Sequence, residues 1–322
     1  RRARPHSTTS PAATPELHRP AAPGFWQAFA YWLKLGFISF GGPAGQIALM
    51  HQELVDKRRW LSEGRFLHAL NYCMLLPGPE AQQLAIYLGW LLHRTAGGIV
   101  AGVLFVLPSF FVLAGLSYVY LVHGQQPLLQ ATFYGIKPVV VAIVAVTAWR
   151  IGSRTLKNRF LQGIALLALL AALAFDIGFP WIVGAAALAG AIAGRWRPGL
   201  FQRASHAATA ARHLPALIDD DTPRAPHTHF RAGYLVTLLS CAGILWGGGL
   251  WLLESSVLRD MGGFFTRAAL LTFGGAYAVL PYVYQGAVEQ FQWLTAGQMI
   301  DGLALGETTP GPLIMIVAFV GF

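Results

Sequence analysis

Charge is scarce in this chain, and cysteine almost missing. Asp, Glu, Lys and Arg make up 11% of 322 residues, where a soluble domain carries about 25%. Apolar residues reach 55% and mean hydropathy is +0.51. Cys73 and Cys241 are lone cysteines in or beside apolar runs, which excludes a disulfide or metal framework. No Walker sequence, zinc-ligand cluster or Ser/His/Asp grouping is present, so neither an enzyme nor a cofactor is expected. The formal charge of +9 does not point to nucleic acid. Its basic residues lie in short loops beside apolar runs, where Lys and Arg set membrane orientation, and no binding motif accompanies them.

What is abundant is apolar sequence in runs near twenty residues, the length that crosses a bilayer. The runs cover approximately 25–50, 66–92, 97–122, 128–150, 160–176, 179–195, 231–253, 264–288 and 297–322. The fold class expected is therefore an all-α polytopic membrane protein. Residues 1–24, rich in Arg, Pro, Ser, Thr and Ala, read as a disordered tail. Residues 196–230 read as a solvated cytoplasmic linker. They hold several arginines, the run Asp219-Asp220-Asp221 and four histidines, whose spacing matches no closed metal site. Lys57, Arg58, Arg59 and Arg65 mark a second cytoplasmic loop. Arg150, Arg154, Lys157 and Arg159 mark a third.

The two flanking stretches, 25–195 and 231–322, share a repeat. Phe40-Gly41-Gly42, Trp60-Leu61 and Pro77-Gly78-Pro79 recur 233 residues later as Phe273-Gly274-Gly275, Trp293-Leu294 and Pro310-Gly311-Pro312. Twelve of forty aligned positions are identical. Each copy holds two Gly/Pro breaks inside apolar runs, and such breaks in matched halves point to a transporter binding site. The broken pair 25–50 and 66–92 reads either as re-entrant helices, the favoured version, or as two ordinary crossings. Either way, five crossings separate the copies and invert the second. The second copy ends ten residues after Pro312, so the chain reads as a fragment with an incomplete second repeat.

Gly41-Gly42-Pro43 and Pro77-Gly78-Pro79 are expected to end one half-helix and begin another, with Gly274, Gly275 and Gly311 doing the same in the second copy. Facing half-helix starts form an anion site without formal charge. Ser39, Thr272, Thr308 and Thr309 would add hydroxyl donors, and Gln82 an amide. Lys137 sits about 15 Å along its helix from an external loop, too deep to snorkel easily, and is expected to face the substrate. Glu80 and Glu307 adjoin the breaks. Two readings stand for them: partners of the helix dipole, or carriers of a coupled proton. His68 and Asp301, equivalent in the repeat, are expected at interfacial helix ends, and Trp60 and Trp293 as interface anchors.

Phe40-Gly41-Gly42-Pro43, Leu75-Leu76-Pro77-Gly78-Pro79, Gln82-Gln83-Leu84-Ala85-Ile86-Tyr87-Leu88-Gly89 and Gly135-Ile136-Lys137-Pro138-Val139-Val140-Val141-Ala142-Ile143 together resemble the chromate ion transporter family in its long, two-domain form. The resemblance runs from Phe25 to the last residue, apart from the 196–230 linker. It implies export of chromate across a bacterial inner membrane, conferring resistance, with sulfate as natural competitor. It carries over onto Gly41, Gly42, Pro43, Pro77, Gly78, Pro79 and Lys137. Pro43 becomes Ala276 in the second copy and Glu80 becomes Leu313, so the halves are not expected to contribute equally. The partners expected are the oxyanion and the lipid bilayer, with a homodimer as the assembly to test.

Overall fold

The computed structural model describes residues 20–40, 42–124, 126–156, 158–175, 177, 179–196, 215–223, 226–272 and 276–322. Gly41, Gly274, Gly275 and most of the expected tail and linker lie outside the described residues.

Twelve helices follow in order among the described residues. They are α1 (Phe25–Ile38), α2 (Gly42–His51), α3 (Glu63–Cys73), α4 (Glu80–His123), α5 (Pro127–Thr155), α6 (Arg159–Ala174), α7 (Phe179–Trp196), α8 (Ala232–Leu252), α9 (Ser256–Leu271), α10 (Ala276–Tyr284), α11 (Ala296–Thr308) and α12 (Ile316–Val320). The fold is helical, as expected of a polytopic membrane protein. α4, α5 and α8 contain windows long and apolar enough to cross a bilayer.

α4 is two helices rather than one. His93 and Arg94 leave helical geometry, Arg94 with φ +54°. The two arms then fold back on each other. The Gln82 amide donates to the Gly102 carbonyl at 3.0 Å, and a Cβ on Gly89 would lie 2.4 Å from the Gly97 oxygen. Only the missing side chains let the arms approach so closely. The arm 80–92 rises about 20 Å and α3 about 17 Å, each short of the ~30 Å hydrocarbon core.

α1 lays Ala28, Tyr31, Trp32, Leu35 and Gly36 on one buried face, the spacing of an apolar helical stripe. That face packs on α4. Trp32, Leu54, Phe66, Leu84, Leu88 and Phe105 join it in the core of the first copy. Ala268, Val279, Val283, Met299 and Ile316 build the smaller core of the second. A third cluster of Leu113, Leu305, Met315 and Phe319 binds the second arm of α4 to α11 and α12.

The repeat is structural as well as sequential. A π-helical turn follows α2 at Gln52–Lys57 and α10 at Gln285–Gln290. Arg59 and Gln292, equivalent positions, both take positive φ, +50° and +54°. The Leu61 amide reaches the Leu54 carbonyl at 3.3 Å, and Leu294 reaches Ala287 at 3.2 Å. Ser62 caps α3, and Thr295 caps α11 with a full capping box.

Two expectations change here. Trp60 is buried, 3% exposed, not a lipid-facing anchor. Its ring meets Tyr31 edge-on and carries the Arg58 guanidinium 4.9 Å from its centroid. Arg58 also holds Glu53 at 2.9 Å, with Lys57 at 3.2 Å. Desolvation opposes the Glu53 charge, but these two cations outweigh it and hold the carboxyl below its ordinary range. The stabilisation is therefore present above that ordinary range and is lost as pH falls through the lowered value.

The second change concerns the linker, whose stretch 215–222 is docked on the first copy, with Asp220 and Asp221 left exposed. Leu217 and Ile218 donate backbone N–H groups to Arg59 and Trp60, and Ser62 donates to Ile218. The Ser62 hydroxyl donates to Asp220 at 2.7 Å, and Arg65 donates to the carbonyls of Asp219 and Thr222. Ala216 is buried beneath them.

Gly78 and Gly311 sit at φ +126° and +110°, and a Cβ at Gly311 would lie 2.4 Å from that of Ser109. Such backbone strain costs on the order of 1–3 kcal/mol before any clash. Gly311→Ala should lower the detergent-solubilised protein's thermal unfolding midpoint by several degrees. Gly115→Ala, in α4 with open space around it, should not. Equal midpoints for the two variants would contradict the packing described.

Candidate functional site

Each first break is a helix end whose side chain closes back on its own turn. The Ser39 hydroxyl donates to the Leu35 carbonyl at 2.6 Å, and Thr272 to Ala268 at 2.7 Å. Both residues are buried, where an unmade hydroxyl bond would be costly. Their backbones leave helical geometry, with ψ 73° and 87°. That turns each carbonyl away from its helix axis and leaves it without an intrahelical donor.

The donors come from the other copy. The Gly78 N–H reaches the Thr272 carbonyl at 2.7 Å, and the Gly311 N–H reaches the Ser39 carbonyl at 2.7 Å. The Pro-Gly-Pro of each copy thus pairs with the first break of its counterpart, a reciprocal exchange of the kind a two-fold relation produces. Ser39, Pro77, Gly78, Pro79, Thr272, Pro310, Gly311 and Pro312 are thereby gathered at one crossing.

The exchange is not symmetric in its side chains. Gln46, fully buried in α2, donates to the Gly311 carbonyl at 2.7 Å; its counterpart is Val279. The buried Ser109 hydroxyl lies against Gly311 and, like the Gln46 carbonyl oxygen, has no hydrogen-bond partner. Tyr277, opposite Gly42, donates to Glu307 at 3.0 Å; its counterpart is Ala44. Gln83 folds its amide back on the Pro77 carbonyl at 2.6 Å.

Several expected donors are engaged elsewhere. Besides Ser39 and Thr272, Thr308 donates to Ala304 at 2.9 Å and Thr309 to Gly306 at 3.3 Å. In this conformation, then, the four hydroxyls serve backbone carbonyls, and Gln82 serves Gly102. Glu80 is buried at 8% exposure on the first turn after Pro79. Gly42 and Pro43, half-buried, open α2. A groove of about 780 Å³ runs beside the crossing, between Phe40, Ala44, His51 and Leu70. A second of about 550 Å³ follows Gln82, Ile86 and Phe110. Neither is lined by Gly78 or Gly311.

Lys137 lies in α5, and its ion pair is with α11. Its ammonium is 3.1 Å from an Asp301 oxygen, and Tyr120 donates to the other oxygen at 3.0 Å. Asp301 is only 6% exposed, so it is a buried counter-ion and not the interfacial helix end expected. His68, its counterpart, is exposed. Sequence reasoning also missed Gln46, Ser109, Tyr120 and Tyr277. The signal for Gln46 was present as an amide inside an apolar helix. The others depend on contacts between elements far apart in the chain.

The sequence profile described as "Chromate transporter" matches residues 26–191 and 259–322. A chromate transport protein of Pseudomonas aeruginosa is 33% identical over 98% of this chain and 68% of its own length. One of Cupriavidus metallidurans is 31% identical over 92% and 67%. A probable chromate transport protein of Synechococcus elongatus is 28% identical over 95% and 71%. No solved structure matches the chain.

Replacing Gln46 by Leu leaves the buried Gly311 carbonyl without its amide donor, a loss of about 1–3 kcal/mol. Thermal unfolding of the purified variant should show it as a lowered midpoint. An unchanged midpoint would mean that this hydrogen bond does not hold the crossing.

Proposed function

The chain belongs to the chromate transporter family, and on that premise we propose that it is a secondary transporter exporting chromate from the bacterial cytoplasm across the inner membrane, conferring chromate resistance. The observation that supports this most is the reciprocal pairing of Gly78 with Thr272 and of Gly311 with Ser39. It sets the interrupted helices of two copies against each other, the arrangement in which transporters hold substrate.

The substrate class follows from the groups at the crossing. The helix start after Pro79 presents first-turn N–H groups and a positive dipole end, which favour an anion; Pro312 opens only a short turn and the brief α12. Ser39, Gly41, Gly42, Pro43, Pro77, Gly78, Pro79, Gln82, Thr272, Gly274, Gly275, Thr308, Thr309 and Gly311 form or flank the site, and Lys137 supplies the formal positive charge. Loading requires the two interlocked carbonyls to release Gly78 and Gly311, whose N–H groups then turn to the oxyanion. Alternating parting and closing of the crossing moves the site between faces, and five intervening crossings invert the second copy. The linker and loop 51–65 lie on the cytoplasmic side by their basic residues.

Energy comes from the membrane potential, the proton gradient or both. An inside-negative potential favours outward movement of a dianion by about 4.6 kcal/mol per 100 mV, twice the single-charge value. Glu80 and Glu307 are the candidate proton carriers, being carboxylates at the breaks. Sulfate and molybdate share the tetrahedral dianion geometry, and a competition series with chromate ranks them.

Vesicles containing the intact protein should accumulate chromate when the potential is imposed with the polarity of export. Lys137→Gln should reduce uptake about tenfold or more, the loss of a charge-assisted contact. Uptake absent under every imposed gradient would exclude this function. Glu80→Gln should flatten the pH dependence of transport; a retained profile would leave Glu80 as a helix-end partner.

A further inference from the structure

The Lys137 ammonium does not stand empty. It holds Asp301, a carboxylate from the other copy of the repeat, and Tyr120 fixes that carboxylate from a third helix. Charged groups in membrane helices are rare, and where they occur they pair and mark function. The burial is unequal: the Asp301 side chain is 9% exposed and that of Lys137 39%. The carboxylate is thus fixed in the packed interior, while the ammonium, on its flexible stem, is the less enclosed partner. Tyr120 also walls a cavity of about 460 Å³ shared with Ser117 and Gln298. The Ser117 hydroxyl on that cavity wall, one turn of α4 before Tyr120, is buried without a partner.

We propose that Asp301 is the resident counter-ion of Lys137, occupying the ammonium while no substrate is bound and displaced from it by the dianion on loading. The proposal rests on the reading of Lys137 as the oxyanion contact. It assigns two tasks to one carboxylate. In the unloaded protein Asp301 neutralises Lys137, so the empty carrier can change conformation without an unpaired ammonium. In the loaded protein it is a competitor, since an oxyanion must outbid it for the same charge. Asp301 is therefore a positioning residue acting through Lys137, and it sets the balance between affinity and turnover. Tyr120 tunes that balance by holding the second carboxylate oxygen. Among the described residues α12 carries no ionisable side chain on its face toward α11. Among the described residues the carboxylate meets Lys137 through an ion pair, at an oxygen that makes no hydrogen bond, and the Tyr120 hydroxyl through a hydrogen bond.

The test measures chromate binding calorimetrically on the purified full chain and transport in proteoliposomes. Removing the competitor in Asp301→Asn should tighten chromate binding about five- to tenfold, an ordinary coupling between sites. The maximal transport rate should fall at the same time, because the unloaded return step must now carry an unpaired ammonium. A lower KM with a lower kcat is a pattern that a merely structural ion pair does not produce. Tyr120→Phe should shift both quantities the same way, more weakly, and carries the test if Asp301→Asn does not fold. Unchanged or weaker binding in folded variants would overturn the proposal. So would restored transport in the charge exchange Lys137→Asp with Asp301→Lys, which is the mark of a simple structural pair. If the unmodified protein binds no chromate, the parent reading of Lys137 fails first, and this one with it.

Discussion

Two backbone hydrogen bonds organise the molecule: Gly78 to Thr272 and Gly311 to Ser39, both at 2.7 Å. Each satisfies a carbonyl that its own helix has abandoned, and each donor is a residue that needs positive φ. Neither copy can complete these bonds alone. A buried carbonyl without a donor would be costly in any apolar surrounding, so each copy's break is stabilised by the other copy's Pro-Gly-Pro, with the Gln46 amide adding a longer 3.4 Å contact to the Ser39 carbonyl. This constraint explains why both kinds of break are kept in both copies, whereas the residues around them have diverged. It also makes the crossing a natural two-state element, because the groups that lock it are the same groups that an anion would recruit.

Much of this was legible beforehand because backbone demands leave sharp marks in a sequence. Gly and Pro at matched spacing announced the interruptions, and the apolar runs announced the helices between them, including the separation of the α4 arms at His93 and Arg94. The paired π turns, in contrast, left no mark that the repeat alone revealed. What stayed hidden was which break meets which, since pairing across copies rather than within them has no local signature. Trp60 illustrates the opposite failure. A tryptophan beside a basic loop suits a membrane interface, but the aromatic and guanidinium groups of Tyr31 and Arg58 enclose it. Asp301 was misplaced for a related reason: a lone acid on a helix looks interfacial until its cation, on a distant helix, is seen.

The side chains set on this symmetric backbone are unequal. Gln46, Ser109 and Lys137 belong to the first copy; Tyr277, Asp301 and Glu307 belong to the second. The buried amide of Gln46 thus has no equivalent in the second copy, and the carboxylates Asp301 and Glu307 none in the first. A symmetric frame therefore carries asymmetric chemistry. Pro43 and Glu80, replaced by Ala276 and Leu313, are further departures from the repeat.

The docked stretch 215–222 has a geometric consequence for assembly of the halves. With Thr222 moored near Arg65, only nine residues, 223–231, remain before α8 begins at Ala232, so the ten steps from Thr222 to Ala232 span at most about 33–36 Å when fully drawn out. The second copy therefore enters the bilayer on a short leash anchored to the first. Such a leash raises the effective concentration of one half for the other and narrows the insertion sites open to α8 during biogenesis.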